Sequence, residues 1–436
     1  MRISVIGCGY LGAVHAAAMA HLGHEVVGID VDAERIAALA AGRPPFFEPE
    51  FGDMLASSLA SGRLRFSTDM ADAEGYEVHF VAVGTPQSAD GQAADMRFVD
   101  AAFGSLAGHL RPGDVVVGKS TVPVGTASRL AELLRERAPE ATLAWNPEFL
   151  REGFAVKDTI APDRLVYGVP DGDAGERAVG RLDEVYASAV GSGTPRIVTD
   201  YATAELVKVS ANAFLATKIS FINAMAEIAE ATGADVTKLA DAIGHDARIG
   251  RRFLNAGVGF GGGCLPKDIR AFSARAHELG LGDSVKFLDE VDKINLRRRA
   301  RVVQLVEEEA GGLEGTKVAV LGLAFKPHSD DIRDSPALTV AQQLAASGAV
   351  VTATDPAAIP NASRRAPELT YAETPEAAVA DADVVVLITE WPDYVGIDPA
   401  ALGELVRRRV VIDGRNVLDP ARWRAAGWTY RGLGRR

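Results

Sequence analysis

One cysteine of this chain lies in a segment suited to chemistry rather than to packing. In GFGGGCLPKD, residues 259–268, four glycines precede Cys264, and a proline, a lysine and an aspartate follow it. A packing cysteine usually lies among aliphatic residues, whereas a reactive thiolate needs an accessible, electropositive position. Pro266 suits the first turn of a helix, so Cys264 is predicted directly before a helix. The helix dipole and Lys267 would then stabilise a thiolate.

A second pattern with chemical meaning opens the chain. The sequence GCGYLG places Gly7, Gly9 and Gly12 in the G-x-G-x-x-G spacing, after a predicted strand and at the start of a predicted helix. These glycines allow a tight turn, close approach to a pyrophosphate and close helix–strand packing. Asp30 ends the next predicted strand, where an acid binds ribose hydroxyls and repels a 2′-phosphate, so NAD is favoured over NADP. Cys8, between the glycines, is interpreted as a small packing residue.

Hydroxyl and carboxylate groups follow other predicted strands. Thr85 lies in VGTP and Thr121 in KSTVPVGT, each directly after a strand, where open α/β sheets bind ligands. Either threonine fits a plain loop equally well. The segment NPEFLREG, residues 146–153, carries Glu148 and Glu152. These acids are interpreted either as charges at a helix start or as groups that bind substrate and transfer protons.

A long helical pattern carries one more pair. Lys208 and Asn212 are four residues apart in YATAELVKVSANAFLATKISFINAMAEIAEATG and share one helix face. The lysine is either solvated or directed into a cleft. The helical pattern ends at Gly233, which suits a helix C-terminus.

The elements that must position these groups follow a repeated order. Short β-branched runs alternate with helical patterns at both ends of the chain: RISVIG, EVVGID, VHFVAVG, DVVVGKS, TLAWN and RLVYGV, and later KVAVLGL, AVVTATD, DVVVLIT and RVVIDG. This alternation predicts parallel sheets with helices on both faces. We therefore predict an α/β protein with two Rossmann-like doubly wound domains, residues 1–200 and 301–436. A central helical domain, residues 201–300, joins them through a long connecting helix.

The two predicted nucleotide folds differ at their first turn. The second begins KVAVLGLAFKP, which retains Gly322 but lacks the other two glycines of the fingerprint. It is therefore not expected to hold a dinucleotide in the usual pose. Lys326 in this turn offers a point charge to a phosphate. The simplest interpretation is that two nucleotide-containing ligands face each other across a cleft.

Composition limits the partners. The chain has 46 basic and 59 acidic residues, a net charge of −13, which argues against nucleic-acid binding. Two cysteines cannot build a secreted disulfide framework, no apolar stretch is long enough for a membrane span, and the N-terminus is interpreted as structure rather than a signal peptide. The sequence predicts a cytoplasmic protein with a small-molecule substrate and without nucleic-acid, membrane or metal partners.

The motifs occur in the order GxGYxG, TP, STVPVGT, NPEFLREG, K-x₃-N, GFGG-x-CLPKD and GLAFKP. In this order they resemble the UDP-glucose/GDP-mannose dehydrogenase family along essentially the whole chain. Members oxidise C6 of a nucleotide sugar from alcohol to carboxylate with two NAD⁺ and a cysteine nucleophile. The resemblance implies that a thiohemiacetal and then a thioester form on the cysteine.

The resemblance also implies roles for individual residues. Cys264 would be the nucleophile, Lys208 and Asn212 would stabilise an alkoxide or oxyanion, and Asp268 would orient water or assist proton transfer. The further catalytic candidates are Glu148 and Glu152 as acid or base, and Thr121 as the holder of a water. The residues implied around NAD are Gly7, Gly9, Leu11, Gly12, Asp30, Arg35, Thr85, Thr121, Glu152, Lys267 and Arg333. Those implied around the nucleotide sugar are Glu148, Phe149, Leu150, Arg151, Glu152, Lys208, Asn212, Arg248, Phe253, Leu254, Asn255, Ala256, Gly257, Gly261, Lys326 and Arg415.

The segment before the cysteine narrows the choice of nucleotide-sugar substrate. ARIGRRFLNAGVGFGGGCLPKD resembles the UDP-glucose branch of the family, which implies oxidation of UDP-glucose to UDP-glucuronate for polysaccharide synthesis. GDP-mannose or another nucleotide sugar is the alternative substrate. Gly263 stands where serine or a larger residue is common in the family, and Arg35 where lysine is frequent. A homodimer through the apolar helical domain is expected.

Two other classes of protein share part of the pattern. A two-electron dehydrogenase of the 3-hydroxyacid or 6-phosphogluconate type also has a nucleotide fold followed by helices. It needs neither Cys264 nor a second nucleotide fold, so both features count against it. An NAD-binding sensor would bind the cofactor without turnover.

Overall fold

The chain folds into two compact units, Met1–Ala211 and Asn212–Arg436. The computed structural model describes residues 1–89 and 91–435. Within these residues, no helix combines the length and apolar character needed to cross a bilayer.

The first unit is built on an eight-stranded sheet in the order β3-β2-β1-β4-β5-β6-β7-β8. Its strands are β1 (Arg2–Ile6), β2 (Glu25–Ile29), β3 (Leu64–Ser67), β4 (Val78–Val81), β5 (Val115–Gly118), β6 (Thr142–Trp145), β7 (Leu165–Gly168) and β8 (Arg196–Thr199). Its helices are α1 (Tyr10–His21), α2 (Ala33–Ala40), α3 (Phe51–Ala60), α4 (Arg97–Leu106), α5 (Thr126–Arg137), α6 (Ala155–Ile160), α7 (Asp173–Val185) and α8 (Ala187–Gly191), with short 3₁₀ turns at Met70–Ala73 and Ala107–His109.

Buried aliphatic residues on both faces explain why this sheet is covered on both sides. Strands β1, β4 and β5 are almost wholly buried, and their side chains divide between two apolar clusters, one on each face of the sheet. Parallel strands that are buried on both faces are typical of doubly wound folds. The strand order reverses between β1 and β4, which puts the ligand crevice of such a fold at the carboxyl ends of these two strands.

Helix α9 (Tyr201–Thr232) passes from the first unit into the second, which continues with α10 (Val236–Gly244), α11 (Leu265–Glu278), α12 (Gly282–Val285) and α13 (Phe287–Ala310). A six-stranded parallel sheet follows, in the order β11-β10-β9-β12-β13-β14. Its strands are β9 (Lys317–Leu321), β10 (Val350–Thr354), β11 (Thr370–Tyr371), β12 (Val384–Leu387), β13 (Val410–Asp413) and β14 (Thr429–Gly432). Its helices are α14 (Pro336–Ala346), α15 (Ile359–Arg365), α16 (Pro375–Val379), α17 (Pro392–Val395), α18 (Pro399–Gly403) and α19 (Pro420–Ala425).

The predicted fold class is confirmed, with two differences in detail. The ten predicted strands all form, but β3, β8, β11 and β14 were not predicted from the sequence. These four strands lie at the edges of the two sheets, where one side of the strand faces solvent and the apolar signal is weak. The prediction that all strands are parallel is wrong at one place, because β6 and β7 pair antiparallel through Trp145 and Gly168.

Candidate active site

The loop between β1 and α1 has the geometry of a dinucleotide site. Gly7 adopts a φ of +89°, and a Cβ on Gly12 would lie 1.8 Å from the Gly7 carbonyl oxygen. A Cβ on Gly9 would meet no atom within 4 Å. Within the described chain no side chain caps the N-terminus of α1. This open space beside uncapped helix N–H groups fits a pyrophosphate.

Asp30 lies at the end of β2, beside this loop. Its carboxylate accepts hydrogen bonds from the Cys8 amide at 2.7 Å, the Asp32 amide at 2.9 Å and Arg35 Nη1 at 3.0 Å. The acid is thereby fixed at the position where NAD-binding folds hold the adenosine ribose. Burial raises the pKa of the Cys8 thiol, so Cys8 stays a neutral packing residue.

The two predicted threonine loops lie side by side. Thr85 Oγ1 donates to the Thr121 carbonyl at 2.8 Å, and Ser120 Oγ donates to the Val83 carbonyl at 2.6 Å. The structure thus gives Thr85 a clear structural role, while Thr121 remains partly exposed. Glu205 fixes the far end of the second loop, because its carboxylate accepts the Gly125 and Ala127 amides, each at 2.7 Å.

The segment at residues 146–153 is anchored at both ends by buried side chains. At its start, Asn146 Oδ1 accepts hydrogen bonds from Lys119 Nζ at 3.1 Å and the Tyr186 hydroxyl at 2.7 Å. At its end, Glu48 accepts the Gly153 amide at 2.6 Å and also the Tyr10 hydroxyl. The polypeptide between these anchors is therefore held against the carboxyl edge of the sheet.

Glu148, Phe149 and Lys208 are brought together in the first unit. Lys208 Nζ donates to Glu148 Oε1 at 3.0 Å, and the side chains are 7% and 12% exposed. The second oxygen of Glu148 accepts the Leu150 amide at 2.8 Å. Lys208 Nζ also lies 5.6 Å from the centre of the Phe149 ring, whose face is covered by the Arg164 guanidinium at 3.8 Å. A lysine that could have been solvated is thus buried in an ion pair.

The rest of this segment is less enclosed. Leu150 packs partly buried against an apolar cluster, Arg151 is exposed and pairs with Asp158 at 2.7 Å, and Glu152 is half-buried. Leu11, in the first turn of α1, is also half-buried beside this segment. The ligand contacts predicted for these residues stay predictions.

Cys264, Asp268 and Asn212 are brought together in the second unit. Cys264 is exposed and is the N-cap residue of α11, and Pro266 occupies the first turn as predicted. Asp268, one turn later, is 3% exposed. Its carboxylate accepts Asn212 Nδ2 at 2.7 Å and Lys267 Nζ at 2.6 Å. The Lys267 ammonium that was expected beside the thiolate and NAD thus pairs with Asp268.

The glycines before Cys264 do not form an open loop, because other segments of the chain pack directly against them. A Cβ on Gly261 would lie 2.3 Å from the Asp334 carbonyl oxygen, and one on Gly262 2.7 Å from the Phe325 ring. Both contacts would force a backbone or an aromatic ring to move. A Cβ on Gly263 would meet the Arg333 guanidinium at 2.4 Å, a flexible group that can move aside. Gly263 is therefore the most replaceable of the three.

Two side chains that were not predicted as loop anchors hold this segment. Asn295, fully buried on α13, accepts the Phe260 amide at 2.7 Å and donates to the Phe260 carbonyl at 2.9 Å. Arg415, predicted to bind substrate, donates to three backbone carbonyls, those of Gly259 at 2.9 Å, Phe325 at 3.0 Å and Ile388 at 2.6 Å. The guanidinium of Arg415 thus joins the cysteine loop to the first turn of the second sheet.

The segment 253–257, predicted to bind the sugar nucleotide, adjoins this turn. Its backbone is fixed by the Gly257 amide, which donates to Asn223 Oδ1 at 2.9 Å, and a Cβ on Gly257 would lie 2.7 Å from the Gly414 oxygen. Phe253, with a φ of +65°, remains 40% exposed. The other three side chains are buried or turned to a neighbour: Leu254, Ala256 and Asn255, the last as acceptor from Arg251.

The remaining predicted residues of the second unit are not gathered at one point. Arg248 is a surface residue with an 89% exposed side chain, paired with Asp246. Arg333 pairs with Asp331 at 2.7 Å beside Gly263. Lys326 lies 5.2 Å from the Phe325 ring centre at the carboxyl end of β9. Their ligand contacts stay predictions.

The second nucleotide fold is closed to a dinucleotide at its first turn. Asp355, the counterpart of Asp30, is 3% exposed. It accepts the Leu323 amide at 2.7 Å, the Ala324 amide at 2.9 Å and Trp391 Nε1 at 3.2 Å. The next helix, α14, is capped by Ser335, whose hydroxyl accepts the Leu338 amide. Neither an open acid nor uncapped N–H groups remain for a pyrophosphate and its ribose.

These sites define an NAD-binding oxidoreductase with a second, different nucleotide fold and an accessible cysteine at a helix N-terminus. Three family models match the chain: the NAD binding domain of the UDP-glucose/GDP-mannose dehydrogenase family over residues 1–190, the central domain over 202–297 and the UDP binding domain over 319–420. The chain belongs to the UDP-glucose/GDP-mannose dehydrogenase family, as its motifs indicated. It is thus an NAD-dependent nucleotide-sugar dehydrogenase with NAD as cofactor.

Individual relatives are similar over their whole length. A UDP-glucose 6-dehydrogenase of Rhizobium meliloti is 42% identical, with 100% of both chains covered, and one of Bacillus subtilis is 39% identical, with 100% of this chain and 93% of the relative covered. A UDP-glucose dehydrogenase structure from Pyrobaculum islandicum matches with a TM-score of 0.91 at 41% identity, covering 100% of this chain and 98% of that one. A UDP-D-ManNAc dehydrogenase from Pyrococcus horikoshii matches at 0.86 and 28% identity, covering 100% and 99%.

Four side chains that hold the loops of the candidate site were not predicted from the sequence: Glu48, Asn146, Glu205 and Asn295. Each is a buried polar side chain that bonds the backbone of a segment distant in sequence. A single sequence carries almost no signal for such contacts. The exception is Asn146, because it directly precedes Pro147 and Glu148 at the end of a buried strand.

Proposed function

We propose that this enzyme is a UDP-glucose 6-dehydrogenase that converts UDP-glucose to UDP-glucuronate by a four-electron oxidation. The observation that carries the proposal is an exposed cysteine at the N-terminus of α11, one turn before the Asn212–Asp268 pair. The choice of sugar is supported by the relatives at about 40% identity, which are UDP-glucose 6-dehydrogenases. GDP-mannose or another nucleotide sugar is the alternative substrate, since a structural relative at 28% identity acts on a different one.

Covalent capture by Cys264 divides the oxidation into two steps. The first oxidation converts the C6 alcohol into an aldehyde, and the thiolate adds to its carbonyl carbon to give a thiohemiacetal. Oxidation of this adduct gives a thioester, which water hydrolyses to the carboxylate and the free thiol. NAD⁺, held by the fingerprint glycines and Asp30, would supply the hydride acceptor for each oxidation. The helix N-terminus favours the thiolate that this sequence of steps requires.

Four side chains are proposed to manage charge and protons around these steps. The amide of Asn212 and the ammonium of Lys208 are donors suited to an alkoxide or oxyanion. Asp268, held by Asn212 and Lys267, is suited to orient the hydrolytic water. Glu148 is proposed as the group that exchanges protons with the reacting oxygen, since it is held in place by Lys208 and the Leu150 amide. Thr121 and Glu152 keep the supporting roles proposed from the resemblance.

The stoichiometry of the reaction tests this proposal. We expect two NADH per UDP-glucose consumed when purified enzyme turns over with excess NAD⁺, because conversion of the C6 alcohol to a carboxylate removes two hydrides. Absorbance at 340 nm and chromatographic analysis of UDP-glucose and uronate measure the ratio. Parallel reactions with GDP-mannose and UDP-N-acetylglucosamine serve as controls for the sugar. One NADH per UDP-glucose consumed with an aldehyde as product, or faster turnover of a control sugar, would contradict the proposal.

We further propose a homodimer formed through α9. Phe214, Phe221 and Ile228 are spaced seven residues apart on this helix and are 66%, 48% and 55% exposed. Seven residues are close to two helical turns, so these side chains form one apolar stripe. A stripe of this kind indicates a face that another helix covers. We also propose a division into three domains, residues 1–200, 201–300 and 301–436. A cytoplasmic location is proposed as well. Both proposals come from the sequence.

Charged substitutions on this stripe are expected to separate the dimer. Phe214→Glu combined with Phe221→Glu places two carboxylates in the proposed apolar interface, and sedimentation should then show a monomer. The matched control is Leu281→Glu, since Leu281 is 56% exposed but lies outside α9. A double variant with the mass of the parent enzyme would exclude this interface.

A further inference from the structure

We infer that Lys119 exchanges protons with Glu148 through a small water-filled cavity in the first unit, and so acts on the reaction through Glu148. This inference rests on the proposed role of Glu148. Lys119 is not expected to touch substrate, so it is a positioning residue that also stores the proton which the reaction releases.

The hydrogen bonds of Lys119 leave one position of its amine for proton exchange. The residue directly follows β5 and is 6% exposed. Its Nζ lies 3.1 Å from Asn146 Oδ1 and 3.2 Å from the Tyr186 hydroxyl oxygen. The Tyr186 hydroxyl hydrogen is directed to Asn146 at 2.7 Å, so both neighbours act as acceptors toward Nζ. A lysine amine has three substituent positions for hydrogens or a lone pair, and two of them are thereby used.

Lys119 and Glu148 both line one small cavity of the first unit. Lys119, Asn146 and Glu148 line one cavity of about 40 Å³ together with Tyr186 and His15. A water needs roughly 10–15 Å³ and two or more polar partners, so about three waters fit. His15 is 1% exposed, and among the described residues neither of its ring nitrogens has a hydrogen-bond partner.

The charges around the cavity tune the amine. Burial lowers the pKa of Lys119 to about 8, the nearby Glu148 carboxylate opposes this shift, and Lys208 adds to it. Other groups facing the cavity keep one charge state: burial lowers the pKa of His15 and raises that of Tyr186, so both stay neutral. Three further charged residues line the cavity, namely Asp158, Asp163 and Arg164; Asp158 is paired with Arg151, and Arg164 covers the Phe149 ring. Burial thus places the ionisation of the Lys119 amine near pH 8.

The proposed step balances. As the alcohol C–H bond breaks and its hydride goes to NAD⁺, the hydroxyl proton passes to the Glu148 carboxylate. Cavity water then carries a proton from the Glu148 carboxyl to the neutral Lys119 amine, which becomes an ammonium. The ammonium later releases the proton to solvent. The neutral amine is the active form, so turnover is expected to rise with pH as Lys119 loses its charge.

The pH profile of kcat tests this inference. The full-length enzyme should show a rise in kcat through an ionisation near 8. Lys119→Arg keeps the positive charge but cannot lose a proton, so kcat should fall about 10- to 100-fold and the ionisation should vanish. Lys119→Met, which removes the amine, should show the same loss of kcat and of the ionisation. KM for NAD⁺ and for the sugar should stay within about threefold, because a group acting only in proton transfer does not change ground-state binding.

Tyr186→Phe is the matched control, because it removes one hydrogen bond to the amine and leaves the amine itself. It should keep the ionisation, displaced along the pH axis by the lost contact, and most of kcat. The inference is overturned if the parent enzyme shows no ionisation near that pH, or if Lys119→Arg retains it. If the parent enzyme oxidises no nucleotide sugar at all, the proposed function fails instead.

A stability measurement tests the ionisation without turnover. The pKa of Lys119 is lower in the folded state than the value near 10.4 of an unfolded chain, so the unfolded state binds more protons between these values. The stability of the parent enzyme relative to Lys119→Met should therefore rise from about pH 8 to about pH 10. A constant difference in melting temperature over this range would contradict a buried, titrating amine.

Discussion

Replacing Cys264 with serine is expected to abolish steady-state formation of UDP-glucuronate, with a loss of about 10³-fold or more. A serine hydroxyl is not ionised at neutral pH, so it cannot capture the aldehyde as the proposed thiolate would. The exposed position of Cys264 at the N-terminus of α11 would be retained, because serine is a good N-cap residue. Initial-rate assays of NADH and uronate measure the effect.

Binding measurements separate this chemical defect from a folding defect. Cys264→Ser should bind NAD⁺ and UDP-glucose with nearly the parent affinity in calorimetric titrations, since the thiol adds little to ground-state contacts. Cys8→Ser is the matched control: this second cysteine is fully buried and its thiol stays neutral, so turnover per folded molecule should persist. Near-parent turnover by Cys264→Ser would remove the nucleophile assignment.

Substitution of the fingerprint glycines should have two distinct outcomes. Gly12→Ala is expected to destabilise the first unit by about 3 kcal/mol, because its Cβ would lie 1.8 Å from the Gly7 carbonyl oxygen and one backbone must move. Gly9→Ala should leave stability within about 0.5 kcal/mol, because its Cβ would meet no protein atom within 4 Å. Chemical denaturation of each variant measures both values.

The variants Gly9→Ala and Gly12→Ala should also be compared by their affinity for NAD⁺. Gly9→Ala places its methyl group where the pyrophosphate is expected, so the Kd for NAD⁺ should rise about 10-fold or more in a protein that is otherwise intact. Fluorescence titration with NADH measures this change. A Gly9→Ala variant with parent affinity would show that the pyrophosphate does not approach this glycine, whatever the stability of Gly12→Ala.

Local patterns predicted much of the fold. Central strands such as β1 and β9 are continuous apolar runs, and the glycine spacing after β1 directly indicated the turn that the structure has. Edge strands such as β3 and β8 were missed, because strands that are partly or largely exposed mix apolar and polar residues in a pattern that resembles a loop. The antiparallel pairing of β6 with β7 was missed because strand direction depends on the path of the connection and not on side-chain pattern.

The candidate site also has features that the sequence predicted and features that only the fold reveals. Residue types and spacing alone indicated Cys264 before a helix, Asp30 after a strand and the helix face shared by Lys208 and Asn212. These are short-range features, since each follows from a few neighbouring residues. The pairing of Lys208 with Glu148 and of Asn212 with Asp268 joins residues far apart in sequence, so only the folded chain reveals it.

The glycine-rich loop before Cys264 shows most clearly what each level determines. The sequence by itself determined that a thiol would stand at a helix N-terminus, because Pro266 and the helical pattern after it are local signals. Only the tertiary structure decided why the preceding residues are glycines: the backbone at Asp334 and the ring of Phe325 occupy the space that side chains at Gly261 and Gly262 would need. Close packing between segments distant in sequence leaves no periodic trace in either of them, whereas helix starts and strand ends do.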